Sequence, residues 1–266
     1  MINKNKPKII FTDIDGTLTN SKREITNITK DIIKKIKEQG IYIILCSGRP
    51  NSYTIKKSID SNASNIVISN NGSLIYNYDT NETIYKNEIS KDNLYNIYKF
   101  CNENNIGCAF NGILNRYKNN LCDKDAIYIE TLDKLDEPIV QIVIDTKKYT
   151  DITIIQDYVK KIGVLEICNC SKSVLNLDKN ANKYEFDIIN RNYGKGNGIK
   201  ILLEYLNISK EESICFGDHI NDYSMFKECG FSVAMKNGMK EIKDKADFIT
   251  ETNDNNGVAE FLKKYI

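Results

Sequence analysis

Along the chain, short apolar runs alternate with stretches in which apolar residues recur every three or four positions. Residues 8–12 predict one buried strand, and Ile25, Ile28, Ile32, Ile33 and Ile36 then follow a helical spacing that Gly40 closes. The continuous run 41–46 predicts a second buried strand, which completes a β-α-β unit. A helix over 52–59 leads into a strand over 66–69, ended by the turn Asn70-Asn71-Gly72. Towards the other end, Ile199, Leu202, Leu203 and Leu206 mark an amphipathic helix, and 213–217 and 231–234 read as buried strands. Such alternation predicts an α/β fold, a doubly wound parallel sheet with right-handed crossovers.

The middle of the chain has a different pattern. Strand candidates at 139–145, 164–170, 173–177 and 184–189 come partly as adjacent alternating runs, with helices over 92–104 and 150–161. The expectation is an α+β domain of residues 79–189 inserted into a core made of 1–78 and 190–266. No repeat, low-complexity tract or long linker interrupts this pattern, and only 3 prolines are available to punctuate it.

Composition narrows the partners. Across 266 residues, 37 Lys+Arg balance 36 Asp+Glu, and the charges are scattered, so no basic stripe suggests a nucleic-acid partner. No run approaches about 18 apolar residues, and the start Met-Ile-Asn-Lys-Asn-Lys has no apolar stretch before the first strand. The expectation is a cytoplasmic protein that engages neither membrane nor nucleic acid and whose partner is a small molecule. The 8 cysteines sit mostly within apolar segments without paired C-x-x-C spacing, which reads as reduced thiols used as small hydrophobes. His219 is the only histidine, so acid/base chemistry falls mainly on carboxylates.

Ligands of an open α/β sheet collect beyond the carboxyl ends of its strands. The residues there are Asp13-Ile-Asp15-Gly16-Thr17 after the first strand, Ser47-Gly48-Arg49 after the second, and Gly217-Asp218-His219-Ile220-Asn221-Asp222 after a late one; Gly194-Lys195-Gly196 opens a helix. Asp13 and Asp15, two apart at a strand end, would repel by roughly 3 kcal/mol at about 5 Å in an effective dielectric near 20. A divalent cation offsets that repulsion, and hard carboxylate oxygens with a phosphate suit Mg²⁺. Asp13 is then the natural nucleophile on phosphorus, forming an acyl phosphate, while Asp15 can protonate the leaving oxygen and later deprotonate water. Ser47 and the amides at Gly48 can hold phosphate oxygens, and Lys195 at a helix start adds positive charge.

These four segments, Asp13-x-Asp15-Gly-Thr, Ser47-Gly-Arg49-Pro, Gly-Lys195-Gly and Gly-Asp218-x-x-Asn221-Asp222, resemble in order and spacing the four motifs of the haloacid dehalogenase superfamily. The tail, with Val233-Ala-Met-Lys-Asn-Gly238, Ala246-Asp-Phe-Ile-Thr250 and Gly257-Val-Ala, is similar to the Cof-like sugar-phosphate phosphatases. The resemblance implies a Rossmannoid core, Mg²⁺ dependence and an aspartyl-phosphate intermediate. It implies Asp13 as nucleophile and metal ligand, Asp15 as acid/base and as a ligand through its main-chain carbonyl, and Asp218 as metal ligand. Asp222 would support the water shell of the metal and Asn221 would face the phosphate. His219 departs from the small or amide residues common at that place, and is either an exposed loop side chain or a substrate contact.

Other readings of the same residues are weaker. Alone, Asp-x-Asp-Gly-Thr is a strand-to-turn junction, and Arg49 either anchors its loop, meets the inserted domain or touches substrate. Cys46-Ser-Gly-Arg49 is too short to wrap a phosphate as a thiol phosphatase would, and Gly194-Lys-Gly-Asn-Gly198 lacks the spacing of a nucleotide phosphate loop. An insert between Asn71 and Lys195 is where the resembling families carry a larger α/β cap that sets leaving-group specificity. The expected function is therefore hydrolysis of small phosphorylated metabolites, sugar phosphates or cofactor phosphates. The alternative is a Mg²⁺-dependent sensor that binds a phosphometabolite without turnover, against which the pairing of Asp13 with Asp15 weighs.

Overall fold

The structure is a computed structural model that describes residues 6–119, 124–170 and 178–266. Chain contacts divide it into two compact units, Met1–Tyr85 with Gly194–Ile266, and Lys86–Tyr193. These limits fall a few residues beyond the expected 78/79 and 189/190. After β1 (Ile9–Thr12), α1 (Asn27–Glu38), β2 (Tyr42–Cys46), α2 (Asn51–Ser61) and β3 (Ile66–Ser69), the chain does not leave the sheet at residue 78. It continues through β4 (Leu74–Asn77) into β5 (Glu82–Lys86), a hydrogen-bonded neighbour of β4.

The inserted unit comprises α3 (Lys91–Glu103), β6 (Gly107–Asn111), β7 (Arg116–Lys118), β8 (Ile127–Tyr128), β9 (Gln141–Thr146), α4 (Asp151–Ile162), β10 (Leu165–Cys170) and β11 (Tyr184–Asn190). Its strands form one sheet in the order β10-β11-β9-β6-β7-β8, antiparallel except for the β7–β8 pair. Alternate sheet residues (Phe110, Ile142, Ile144, Phe186, Ile188) pack with Leu94, Ile97 and Phe100 of α3 and Ile152, Ile155 and Val159 of α4. That is the α+β arrangement an alternating strand pattern produces. The strand expected over 173–177 lies outside the described residues.

The first unit resumes with α5 (Lys195–Leu206), β12 (Ser213–Gly217), α6 (Tyr223–Glu228), β13 (Phe231–Ala234), α7 (Lys240–Lys243), β14 (Phe248–Ile249) and α8 (Gly257–Leu262). Its eight strands run β14-β13-β12-β1-β2-β3-β4-β5, with β14 to β3 mutually parallel and β4 antiparallel to β3. Successive strand residues face opposite layers. Ile10, Ile43, Leu45, Ile214 and Phe216 pack with Ile32, Ile33 and Ile36 of α1 and Val258, Phe261 and Leu262 of α8. Ile9, Phe11, Ile44 and Cys215 pack with Ile199, Leu202 and Leu203 of α5 and Met225 of α6. Burial on both faces explains why these strands read as continuous apolar runs.

Local signals set the ends of these elements. Thr26 caps α1 by accepting from the Thr29 amide, while Lys35 and Lys37 complement the dipole in its last turn. The registers Thr12↔Leu45 and Thr12↔Phe216 bring the carboxyl ends of β2, β1 and β12 to one edge. Asp13, Ser47 and Asp218 follow those ends. No helix among the described residues is long and apolar enough to cross a membrane.

Candidate active site

Asp13 leaves β1 with its amide still donating to the Phe216 carbonyl, so its backbone is held by the neighbouring strand. Its carboxylate is buried and meets the ammonium of Lys195, with Nζ 2.6 Å from Asp13 Oδ1 and 2.6 Å from Asp222 Oδ1. The Lys195 side chain is 2% exposed, although it opens a helix. Its place follows from the close approach of two backbones, because a Cβ on Gly72 would sit 2.2 Å from the Gly194 carbonyl oxygen. The turn after β3 therefore presses directly on the residue that precedes Lys195.

Burial works against the charge on Lys195, but the carboxylates of Asp13 and Asp222 more than offset it and hold the ammonium well above its ordinary pKa. Burial pushes the Asp13 carboxyl well up; Lys195 draws it down, and the charges of Asp222 and Asp218 raise it again. Further positive charge at this edge would favour ionised Asp13.

Asp222 is fully buried and wholly engaged. Besides Lys195, it accepts at Oδ2 from the amides of Asp218 (2.9 Å) and His219 (3.0 Å). It thereby closes the β12–α6 loop and orients Asp218. His219 joins Asp222 in a reciprocal capping box, so this loop histidine serves to start the helical turn that follows. The main-chain oxygen of Asp218 accepts from the Met239 amide at 2.9 Å, and Thr17 donates to Asp218 Oδ1 at 2.8 Å. Gly16 has φ +86, and a Cβ there would lie 2.4 Å from Asp218 Oδ2, so any side chain at this position would be strained and would push the carboxylate aside.

Oxygen atoms from Asp13, Asp218 and Asp222 lie within 4.8 Å of one another, a set of hard donors that could hold a metal ion. Asp13 and Asp218 are the better placed ligands, since both Asp222 oxygens accept hydrogen bonds from protein donors. The side chain of Asp15 is not in this group. Its Oδ2 accepts from Arg49 Nε at 2.8 Å and its Oδ1 from the Tyr53 hydroxyl at 3.2 Å. Burial and the Asp15 charge push the Tyr53 phenol up to about 12.

Ser47 and Gly48 follow β2. The Ser47 hydroxyl accepts from the Arg49 amide at 3.1 Å, and its carbonyl accepts from the Asn71 amide at 3.0 Å. Asn71 Oδ1 in turn accepts from Asn221 Nδ2 at 3.4 Å. Contacts thus link Ser47 to Asn71 and Asn221, Lys195 to Asp13 and Asp222, and Asp218 to Asp222 and Thr17. Cys46 is buried in the core, and burial raises its thiol far above the ordinary range, which leaves it protonated.

The profile of the haloacid dehalogenase-like hydrolases matches residues 10–262, nearly the whole chain and all four of these loops. The chain belongs to the haloacid dehalogenase-like hydrolase family. It is an enzyme of the hydrolase class. Among solved structures, a haloacid dehalogenase-like hydrolase from Bacteroides thetaiotaomicron superposes with a TM-score of 0.84 at 27% identity, over 98% of this chain and 100% of that one. The subclass IIB sugar phosphatase BT4131 superposes with a TM-score of 0.79 at 21% identity, over 97% and 98% of the two chains, and shows the same fold. In sequence, 5-amino-6-(5-phospho-D-ribitylamino)uracil phosphatase YitU of Bacillus subtilis is 25% identical over 98% of each chain.

Several residues of the site were not singled out by sequence reasoning. Thr17 carried a visible signal, being a hydroxyl next to the aspartate pair. Tyr53 carried none, and Asn237 showed only as part of the tail stretch 233–238. Asn237 donates from Nδ2 to the Gly16 carbonyl at 2.8 Å and accepts at Oδ1 from the Asn253 amide at 2.9 Å, which ties the Gly16 turn to the C-terminal segment.

Proposed function

We propose that this hydrolase is a Mg²⁺-dependent phosphatase that acts on small phosphorylated metabolites, sugar phosphates or phosphorylated cofactor precursors, through a phosphoryl group carried by Asp13. One observation carries the reading: the buried ammonium of Lys195 bridges Asp13 and Asp222, at the edge where Asp218 offers a third carboxylate. Hard carboxylate ligands converging beside a lysine suit a divalent cation and a phosphate, and a plain structural ion pair does not need the third carboxylate.

Asp13 and Asp218, with the Asp15 main-chain carbonyl, would hold the Mg²⁺, which supplies positive charge to the phosphate oxygens and the nucleophile. Lys195 keeps Asp13 Oδ1 fixed and compensates its charge. Ser47 and the Gly48 amide are assigned to the non-bridging phosphate oxygens, and Asn221 to the same group from the opposite loop. Asp15 hands a proton to the leaving oxygen and later takes one from water. The substrate class follows two of the relatives named above, the sugar phosphatase BT4131 and the 5-amino-6-(5-phospho-D-ribitylamino)uracil phosphatase YitU.

Hydrolysis of para-nitrophenyl phosphate with and without Mg²⁺, beside Asp13→Asn, tests the proposal. Metal-dependent turnover that disappears in the variant is expected, and a panel of phosphometabolites then ranks substrates. Phosphate binding by the wild type without any turnover would favour a sensor.

A further inference from the structure

We infer that Arg49 and Tyr53 are positioning residues for proton transfer, gripping the Asp15 carboxylate from two sides and setting the direction in which it meets the leaving oxygen. This rests on the phosphatase reading and adds residues that it does not use. The grip is two-sided because the donors occupy different oxygens: Arg49 Nε lies 2.8 Å from Oδ2 and the Tyr53 hydroxyl 3.2 Å from Oδ1. One donor would leave the carboxylate free to turn about its last torsion, whereas two fix its plane.

Both donors are themselves held. The Arg49 amide donates to Ser47 Oγ, and the Arg49 carbonyl accepts from the Asn70 amide at 3.0 Å. Tyr53 lies in the first turn of α2, its ring packed on the α1 core layer, with the Arg49 guanidinium and the Lys57 ammonium each 5.8 Å from the ring centroid. Lys57 is anchored in turn on the Arg23 carbonyl at 2.7 Å. Asp15 is tied to Thr19 by a backbone bridge. A solvent-facing ion pair does not require this much support.

The chemistry balances as follows. An Asp13 oxygen bonds to phosphorus as the ester P–O bond breaks; its electron pair stays on the leaving oxygen, which takes the proton of Asp15. Asp15 is left as a carboxylate that receives the N–H of Arg49 and the O–H of Tyr53. In the second half, water attacks phosphorus, its proton returns to Asp15, and the bond from phosphorus to Asp13 breaks.

The test compares kcat/KM for phenyl phosphate and para-nitrophenyl phosphate in the wild type, Tyr53→Phe and Arg49→Lys. The two esters are close in shape, but nitrophenolate leaves with little need of a proton. Each variant is expected to lose about tenfold or more with phenyl phosphate and far less with the nitrophenyl ester, in parallel with Asp15→Asn. Equal loss with both esters, or loss with neither, overturns the inference. A wild type that turns over neither ester removes the phosphatase reading itself and this inference with it. Thermal unfolding monitors each variant, and Arg49→Lys carries the test if Tyr53→Phe does not fold.

Discussion

The hydroxyl of Thr17 donates to Asp218 Oδ1 at 2.8 Å, joining residues 201 positions apart in sequence. It is a contact between the first motif and the last, and it orients a carboxylate assigned to the metal. Partners of this kind commonly account for 10- to 100-fold in metal affinity. Thr17→Val, which keeps the shape and removes the donor, is therefore expected to weaken Mg²⁺ binding by about tenfold or more, whereas Thr17→Ser preserves it. Isothermal titration with Mg²⁺ checks this directly.

Lys195 stands between two buried carboxylates, so its removal leaves both without compensation. Breaking a buried pair in this way costs about 3–5 kcal/mol. Lys195→Met is expected to lower stability by about that amount in a urea titration. Added Mg²⁺ should restore part of the loss, because a cation on Asp13 and Asp218 replaces some of the missing charge and stabilises the state that binds it.

Gly16 and Gly40 share a positive φ, +86 and +80, but differ in their surroundings. A Cβ on Gly40 has nothing within 4 Å, while one on Gly16 runs into the Asp218 carboxylate. Gly40→Ala should therefore cost about 1 kcal/mol of backbone strain and leave Mg²⁺ affinity intact. Gly16→Ala should carry similar strain and also displace Asp218, losing measurable Mg²⁺ affinity. Paired denaturation and titration experiments separate the two effects.

Cys46 lies next to Ser47 yet points into the core layer with Ile44 and Ile68. Its protonated, buried thiol is not a nucleophile. Cys46→Ala is expected to cost about 1 kcal/mol of stability and to keep para-nitrophenyl phosphate turnover. Loss of turnover in a folded variant would reopen the thiol reading.

The core was legible where periodicity and burial agreed. Ile32, Ile33 and Ile36 mark α1 because one face of that helix is buried, and 213–217 and 231–234 match β12 and β13 because both faces of those strands are covered. In the inserted unit, β6 (Gly-Cys-Ala-Phe-Asn) escaped notice, since its small residues carry little strand preference and its place is set by pairing with β9. Strand β4 was hidden because Asn70 and Asn71, both at positive φ, read simply as the end of a strand rather than as a reversal into a second one.

At the site, the motif residues showed in the sequence because charged and glycine residues gathered after strands. The contacts of Asp15 with Tyr53, of Asn71 with Asn221 and of Asn237 with Gly16 did not show. Each depends on where separate loops meet, and an isolated Tyr or Asn in a polar stretch has no periodicity to betray it.

Asp13 is the proposed acceptor of the phosphoryl group. Acid-quenched Asp15→Asn, mixed briefly with para-nitrophenyl phosphate and Mg²⁺ and then digested for mass spectrometry, tests it most directly, because that substitution slows water attack while leaving a good leaving group able to depart. One added phosphoryl group is expected on the peptide containing Asp13, absent without Mg²⁺. Turnover with no phosphorylated peptide, or with the group on Cys46, Ser47 or His219, would contradict it.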